Sequence, residues 1–459
     1  MIFFDTYTFF EQKTCNCQHF LIFAEELTRI CNNMTLPDDF QRQMSEQLGA
    51  EEYQAFILAL QAEPPVSIRI NPRKPIPAPS DKQVPWCKDG YYLSERPVFT
   101  LDPLFHAGCY YVQEASSMYL SEVLSKYASP LSPKHVLDLC AAPGGKSTLM
   151  LSCLPEETLV VCNEVIPGRA QILRENIIKW GYPNSVVTNN HPRDFQTLGF
   201  QFDLILCDAP CSGEGMFRKD EKSIQEWSLA NVDMCQRRQR DIVADIWPCL
   251  RPDGILIYST CTYNKKENEE NVQWMAEELG ADVLSTRRFM PHKTEGEGLF
   301  MAVLKKVNSE SDVVSVKREK LRAKKVKGTT SNYKVPAHHA LAIEHLHEHL
   351  HVLHYGIELA TQKGKNHLQP SHSLAMSNDL NLKQFPTSDI NLTTALNYLR
   401  GESIVLPNET PHGYVLLTYL SHPLGFVNNL GSRANNLYPT EWRIRQNITN
   451  LMQNATKRQ

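Results

Sequence analysis

The chain has 459 residues, of which 42% are hydrophobic and 21% charged, and its formal net charge is −4. This length predicts two to four domains of about 100 to 200 residues each. The composition excludes a fibrous or wholly disordered chain, and the nearly balanced charge excludes a globally basic nucleic-acid-binding protein, so any such contact has to come from local patches.

The cysteines and the apolar runs indicate the compartment. The chain has 13 cysteines, and several lie in apolar, strand-like segments, such as Cys162 and Cys207, which favours reduced thiols and a cytoplasmic location. No run approaches the roughly 18 apolar residues of a membrane span, so no membrane association is expected. Residues 1–33 show no clear amphipathic pattern, and we expect a poorly ordered extension with Met34 as the natural start.

The first structured region is predicted to be a small α+β domain over 34–105. Apolar residues recur at helical spacing from 36 to 60, which predicts two short helices broken at Gly49. Residues 66–70 form a strand-like run, and residues 109–126 return to helical periodicity.

The region 106–305 alternates between strand-like and helical segments. This alternation predicts a doubly wound, Rossmann-like α/β fold whose ligands bind beyond the carboxyl ends of the strands. The predicted strands are 136–139, 159–163, 185–188, 203–207 and 254–259, and the predicted helices are 146–153, 167–180, 223–250 and 266–279.

A basic linker is predicted over 306–335. Its core, 317–327, has seven basic residues and one acid, a local charge of +7 − 1 = +6. A solvated connector is favoured over a phosphate-binding segment. An intermediate α+β segment over 336–385 and a separate C-terminal α+β module over 386–459 are expected to follow.

The stretch HVLDLCAAPGGKST, residues 135–148, predicts a buried strand, a Gly-rich turn and a helix start, an arrangement that lets backbone approach a ligand closely. A P-loop is excluded because its first glycine would fall at Cys140. Glu164 ends the next strand, 20 residues beyond Gly144, which is the spacing of an acid that binds ribose hydroxyls. A nicotinamide dinucleotide is disfavoured because G-x-G-x-x-G is absent. An adenosine cofactor is predicted.

An acid and two thiols follow two later strands and are predicted to lie at the same edge of the sheet. Asp208 and Cys211 follow one strand, and Cys261 follows the other. Carbon 5 of cytosine becomes nucleophilic only after a thiolate adds to carbon 6, and an acid that hydrogen-bonds ring N3 helps this addition. The residues therefore indicate transfer of a methyl group from S-adenosylmethionine (SAM) to cytosine.

These motifs resemble the Nop/Sun (Fmu) family of RNA cytosine-5 methyltransferases, as carried by LDLCAAPGGKST, DAPCSGEG and YSTCTYNKKENEENV. The resemblance implies that Cys261 attacks the base and Cys211 aids product release. Many relatives have an Asp where this chain has His191, so the neighbouring Asn190 is the candidate for the adenine contact. The implied cofactor contacts are Cys140, Ala141, Ala142, Pro143, Gly144, Gly145, Lys146, Glu164, Asn190 and Asp208.

The flanking segments resemble the RsmF ribosomal-RNA branch, which has a PUA-like RNA-binding module at its carboxyl end. SIRINP at 67–72 and the C-terminal GYVLLTYLSHPLGFVNNLGSRANNLYPTEWRIR carry this resemblance. It implies a ribosomal RNA, 16S RNA, as substrate. The candidate RNA contacts combine arginines with aromatic rings that could stack bases; the alternative is a core tryptophan with surface arginines. These residues are Arg433, Tyr438, Trp442, Arg443 and Arg445.

Seven histidines fall between 338 and 354. They lack a carboxylate or cysteine set at ligand spacing, so a polar helix face is favoured and no metal is predicted. Three alternatives stay open: a cytosine-5 methyltransferase that attacks through Cys211, a transfer-RNA substrate, and a catalytically idle RNA-binding or assembly factor. A monomer is expected.

Overall fold

The computed structural model describes residues 35–307, 333–363 and 367–445. The predicted extension 1–33, Met34 and the basic core 317–327 of the linker lie outside the described residues. The chain divides into two compact units, residues 1–63 and 64–459. The strand predicted at 66–70, which was assigned to a domain over 34–105, therefore belongs to the second unit.

The first unit contains the two predicted helices, α1 (Asp38–Leu48) and α2 (Ala50–Gln61). Gly49 separates them with a φ of 78°, a left-handed conformation that glycine adopts without steric cost. Phe40 and Met44 of α1 and Phe56 and Leu60 of α2 are buried, and the rings of Phe40 and Phe56 have centroids 6.3 Å apart. The prediction of a helix pair broken at Gly49 is confirmed.

The second unit combines a large mixed sheet with several smaller sheets. Its helices are α3 (Pro103–His106), α4 (Leu120–Val123), α5 (Gly145–Cys153), α6 (Pro167–Trp180), α7 (Glu221–Glu226), α8 (Leu229–Ile246), α9 (Glu269–Glu278), α10 (Ala340–His349), α11 (His372–Met376) and α12 (Leu392–Leu399). Its strands up to the linker are β1 (Val66–Ile70), β2 (Gly90–Leu93), β3 (Tyr110–Val112), β4 (His135–Asp138), β5 (Leu159–Asn163), β6 (Ser185–Thr188), β7 (Phe202–Asp208), β8 (Leu250–Thr260), β9 (Ala281–Phe289) and β10 (Leu299–Lys306).

The remaining strands follow the linker: β11 (Tyr333–Lys334), β12 (Val352–Tyr355), β13 (Ile357–Glu358), β14 (Ala360–Lys363), β15 (His367–Pro370), β16 (Thr387–Asp389), β17 (Gly413–Tyr419), β18 (His422–Asn429) and β19 (Ala434–Asn436). Residues 109–126, predicted to be helical throughout, begin with β3 instead. The predicted helix 223–250 is divided at Ser228, whose hydroxyl caps α8 by accepting the Asn231 N–H.

The large sheet has the order β12-β6-β5-β4-β7-β8-β10-β9. Its five central strands are parallel, and β12, β10 and β9 add antiparallel neighbours. The central strands are almost fully buried because helices cover both faces, which explains their continuous apolar sequences. The predicted Rossmann-like α/β fold is confirmed.

The segment after the linker does not stand apart from this sheet. β12 pairs antiparallel with β6, with Val352 opposite Thr188 and Tyr355 opposite Val186. The predicted intermediate segment over 336–385 therefore contributes an edge strand to the large sheet. Pairing between strands so distant in sequence leaves no local pattern.

The C-terminal part forms the four-stranded sheet β16-β17-β18-β19, packed with α12. Its apolar core continues into the small β2-β1-β3 sheet, because Ile68, Cys109 and Tyr110 pack in one buried cluster with Leu396 and Val427. The two sheets therefore share a core rather than forming independent domains. In the described parts of the chain, none of the helices is long and apolar enough to cross a membrane.

Candidate active site

The strands that carry the predicted site residues end at one edge of the large sheet. β4, β5, β7 and β8 are parallel neighbours, and Asp208 at the end of β7 lies opposite Ser259 of β8. The carboxyl ends of such strands form the crevice in which open α/β sheets bind ligands. The cofactor loop 139–146, Glu164, Asp208 and both candidate thiols all follow these ends.

The cofactor loop makes a tight turn between β4 and α5. Gly144 has a φ of 116°, which disfavours any residue with a side chain, and α5 begins at the next residue. A Cβ on Gly145 would lie 3.3 Å from the Tyr111 ring. The loop carbonyls are held from outside, since Arg169 donates to Ala142 O and Asn176 donates to Pro143 O. The α5 amino end thus faces the crevice as a ready site for polar ligand groups.

Asp138, the last residue of β4, was not identified from the sequence. Its Oδ2 accepts a 2.6 Å hydrogen bond from Ser147, whereas its Oδ1 is buried without a partner among the described residues. Burial raises the pKa of this carboxyl to about 7. A buried acceptor without a partner fits a bound ligand that donates a hydrogen bond. The acid of LDLC, directly before the cofactor loop, was the available signal.

Glu164 begins the loop after β5, and only 3% of its surface is exposed. Its Oε1 accepts the Ile166 N–H at 2.9 Å, and Arg169 lies 3.5 Å from Oε2. The position at a strand end, one strand from the cofactor loop, is that of a ribose-binding acid.

Asn190 follows β6 and is held by the chain itself. Its Oδ1 accepts the His351 N–H at 3.0 Å, and its Nδ2 donates to His351 O at 3.3 Å. Both ends of the amide thus engage the segment that leads into β12. The adenine contact stays a prediction for Asn190, and the geometry gives this side chain a structural task that the sequence did not indicate.

Asp208 is the centre of a polar group at the end of β7. Lys146 donates to its Oδ2 at 2.7 Å and Ser259 donates to its Oδ1 at 2.6 Å. Burial opposes a charge on Lys146, but the Asp208 carboxylate outweighs burial and raises the pKa of the ammonium. The pair therefore joins the cofactor loop to the two central strands.

The two candidate thiols face each other across adjacent strands. Cys211 Sγ and Cys261 Sγ are 3.1 Å apart, and each side chain is partly exposed. The hydrogen bond with Cys261, together with burial, raises the pKa of the Cys211 thiol. The Lys146 ammonium and the Cys261 sulfur also interact electrostatically, and this interaction contributes to the raised pKa of Lys146.

A buried polar network lies behind these thiols. It includes Glu214 and Glu267, which are fully buried, and Asn264, whose amide bridges them. The buried positions of Glu214, in the segment GEG, and Glu267, in the segment ENE, were not predicted, because buried acids cannot be distinguished from solvated ones by spacing alone.

The C-terminal RNA candidates separate into three groups by their exposure. Tyr438 is only 2% exposed and packs edge-on against His372, Tyr398 and Trp442, so its predicted role in stacking a base is corrected to a core role. Trp442 and Arg443 are partly buried. Arg433 and Arg445 are exposed, as a phosphate contact requires.

One histidine group on α10 has metal-ligand geometry. Within the part of the chain that the structure describes, His345, Glu348 and His349 have ligand atoms within 4.8 Å of one another. The group lies on the outer side of a helix whose buried positions are Ile343 and Leu346. The expectation of no metal stays a prediction.

The fold and this edge define the class of the protein. A Rossmann-like sheet, a Gly-rich turn before α5, an acid after β5 and the partnerless Asp138 oxygen together suit SAM, and the comparisons with known proteins agree. The family model for 16S rRNA methyltransferase RsmB/F matches residues 127–305. Models of the RsmF N-terminal domain and the RsmF PUA domain match residues 36–115 and 385–444. The chain is a SAM-dependent methyltransferase with a C-terminal PUA domain.

The relatives identify the family. Ribosomal RNA small subunit methyltransferase F of Enterobacter sp. (strain 638) is 30% identical over 471 residues, which cover 89% of this chain and 96% of the relative. The protein of the same name from Salmonella agona (strain SL483) is 30% identical over 466 residues, covering 88% and 96%. The chain therefore belongs to the RsmF family of methyltransferases.

Solved structures support the fold. A methyltransferase homologue from Pyrococcus horikoshii is 27% identical with a TM-score of 0.51, covering 62% of this chain and 98% of that one. NSun6 from the same organism, solved with SFG, is 21% identical with a TM-score of 0.51, covering 60% and 99%, and shows the fold alone.

Proposed function

We propose that the protein methylates carbon 5 of a cytosine in RNA through a covalent bond between Cys261 and carbon 6. The observation that carries this proposal is the pair of sulfurs 3.1 Å apart at the ends of adjacent strands. The Asp208–Lys146 pair follows the same strand ends. RNA binding or assembly alone would need neither thiol.

Cys261 is the attacking residue in this proposal. Its sulfur interacts electrostatically with the Lys146 ammonium, which also pairs with Asp208. Cys211, whose pKa is raised, keeps its proton and can donate it to the Cys261 sulfur. Attack through Cys211 is the less favoured alternative because the hydrogen bond with Cys261, together with burial, raises the pKa of the Cys211 thiol.

The sulfur of Cys261 adds to carbon 6, and the ring electrons move to carbon 5, which becomes the nucleophile. Asp208 is the candidate donor of a hydrogen bond to ring N3, which would favour the addition. Because Lys146 and Ser259 donate to its carboxylate, Asp208 has to take up a proton before it can donate one. SAM, when bound, supplies an electrophilic methyl group for carbon 5. Afterwards a water molecule takes the proton from carbon 5, the ring double bond re-forms, and the bond between sulfur and carbon 6 breaks so that Cys261 leaves with the bonding electrons. Cys211 can protonate the departing sulfur.

The cofactor would be held along the crevice by residues 140–146, Glu164 and Asp208. The Gly144 turn and the α5 amino end suit the polar end of the cofactor, and Glu164 suits its ribose. Asp138 adds a buried acceptor that the sequence analysis did not include. Asn190 remains the candidate at the adenine end.

The proposed substrate is 16S ribosomal RNA, which the family model names, and the relatives are named as methyltransferases of the small-subunit ribosomal RNA. Support from this chain comes from the PUA domain and the exposed Arg433 and Arg445. The target base would have to leave its stack, so a loop or opened helix is expected. We further propose that the protein acts in the cytoplasm as a monomer without a metal, with residues 106–305 as the catalytic region. Transfer RNA is the alternative substrate.

Trapping with RNA that contains 5-fluorocytosine tests the mechanism, because fluorine at carbon 5 blocks release of the adduct. A covalent protein–RNA adduct should form with the wild type, vanish in Cys261→Ala and persist in Cys211→Ala. Cys153→Ala, at the end of α5, is the matched control. The opposite pattern for the two thiols would reassign the nucleophile, and bisulfite mapping of ribosomal and transfer RNA from a deletion strain identifies the substrate.

A further inference from the structure

Two buried carboxylates connect the loops that carry the thiols. We call residues 209–216 the first thiol loop and residues 261–268 the second thiol loop. Glu214, in the first loop, accepts hydrogen bonds through Oε2 from Tyr263 N at 2.7 Å and Asn264 N at 2.9 Å. Glu267, in the second loop, accepts a bond through Oε2 from Ser212 N at 3.0 Å. Each loop therefore contributes a carboxylate that holds the backbone of the other loop.

The points of attachment lie beside the thiols. Ser212 directly follows Cys211, and Tyr263 is two residues beyond Cys261. Two further contacts join the loops, since Gly215 N donates to Cys261 O at 2.8 Å and the Ser212 and Thr262 hydroxyls are 2.9 Å apart. The contacts fix the backbone next to each sulfur.

Every remaining contact of the two carboxylates is also with a donor. Glu214 Oε1 accepts from Trp227 Nε1 and Asn264 Nδ2. Glu267 Oε1 accepts from Asn264 Nδ2 at 2.7 Å, and its Oε2 also accepts from Gln239 Nε2 at 2.7 Å. At both positions, therefore, each of the two side-chain oxygens has to act as an acceptor. A glutamine has nearly the same shape, but in either orientation its NH₂ group would face a donor.

Burying two acids side by side is costly, and burial raises the pKa of Glu267. In the described residues, neither carboxylate forms an ion pair with Lys or Arg that would offset this cost. Both are fully buried, so neither carboxylate is exposed to a ligand in the crevice. Their hydrogen bonds converge on loop backbone, which indicates a geometric task.

We infer that Glu214 and Glu267 are positioning residues that set the spacing of the two sulfurs by holding each other's loops. The inference rests on the proposed function, in which both thiols take part. Loss of either carboxylate separates the sulfurs. The step that needs both thiols, release of the adduct, is affected more than SAM binding, which depends on the cofactor loop.

The first experiment requires no RNA and is therefore independent of the proposed reaction. Diamide, an azo oxidant, takes two electrons and two protons from Cys211 and Cys261 and leaves a disulfide, which peptide mass spectrometry quantifies. We expect fast coupling in the wild type and in the control Glu278→Gln, an exposed acid on α9. Coupling should slow at least tenfold in Glu214→Gln and Glu267→Gln. Equal rates in all four proteins, or no coupling in the wild type, would overturn the inference.

The second experiment measures the reaction. Glu267→Gln should bind SAM with the wild-type dissociation constant but accumulate a covalent adduct on ordinary cytosine RNA, because release is slowed. If a glutamine variant fails to fold, Glu267→Asp, which keeps two acceptors on a shorter chain, is assayed instead and should give an intermediate coupling rate. Wild-type coupling and release in that variant would refute the inference. If the wild type forms the disulfide but no covalent adduct with RNA that contains 5-fluorocytosine, the proposed function is rejected and the positioning role is not.

Discussion

Replacing Gly215 with alanine should displace Cys261 while leaving the fold intact. Gly215 lies so close to the second thiol loop that an added Cβ would be 2.5 Å from the Cys261 carbonyl oxygen. An ordinary contact begins at 3.4 Å, so the Cys261 backbone has to move by about 3.4 − 2.5 = 0.9 Å. A misplacement of about 1 Å at a reacting group lowers the rate by about 10²-fold, or about 2.7 kcal/mol in activation free energy. Overpacking of this kind costs about 1–3 kcal/mol of stability.

The assay is single-turnover transfer of a radioactive methyl group from SAM to RNA, with SAM binding and thermal unfolding measured in parallel. Gly168→Ala is the matched control, because a Cβ there meets nothing within 4 Å. We expect Gly215→Ala to lose about 10²-fold in rate with unchanged SAM affinity, and Gly168→Ala to match the wild type. A Gly215→Ala protein that is folded and fully active would show that the position of Cys261 does not control the chemistry.

Four further outcomes are expected. Asp208→Asn should lower turnover by about 10²–10⁴-fold and abolish the 5-fluorocytosine adduct; undiminished adduct would contradict its role in the addition. The pKa of Asp138, raised to about 7, means that the folded state retains a proton that the unfolded state releases near pH 4, so this contribution to stability is present below pH 4 and lost as the pH rises through 7. The thermal midpoint of the wild type should therefore decrease, relative to that of Asp138→Asn, as the pH rises from 5 to 8. Parallel plots of midpoint against pH for the two proteins would contradict this assignment. Asn190→Ala should lower the midpoint, because its amide holds His351, and should weaken SAM binding, because Asn190 is the candidate at the adenine end; a lower midpoint with unchanged SAM affinity would leave Asn190 only the structural task. EDTA should leave methyl transfer unchanged, and lost activity restored by zinc would implicate the histidine group on α10.

The catalytic sheet could be predicted from the sequence because its central strands are buried on both faces. β5 and β6 have the predicted bounds 159–163 and 185–188, since each is an apolar run that ends at a polar turn. β9 and β10 were missed. β9 is an edge strand with mostly exposed residues, so it shows neither a continuous apolar run nor a strict alternation.

The candidate site was predictable where a residue stands directly after a strand. Glu164, Asp208, Cys211 and Cys261 follow strand ends, and parallel strands bring such residues to one edge regardless of their separation in sequence. Features that depend on packing were not predictable.

Tyr438 illustrates the limit. Next to arginines, its ring suggested a base-stacking surface, but it lies in the core, where its hydroxyl is 3.5 Å from the Nδ1 of His106, 332 residues earlier in the chain.

The apolar cluster common to the β2-β1-β3 sheet and the C-terminal sheet has a practical consequence for dissecting the protein. Truncation of the chain before β16 would remove Leu396 and Val427, which pack against Ile68 and Tyr110, and would expose an apolar surface to solvent. A truncated enzyme would then lose solubility as well as any RNA binding by the C-terminal domain. Loss of its activity would therefore not show that this domain recognises RNA. Point substitutions at Arg433 and Arg445 test RNA binding without exposing this apolar core.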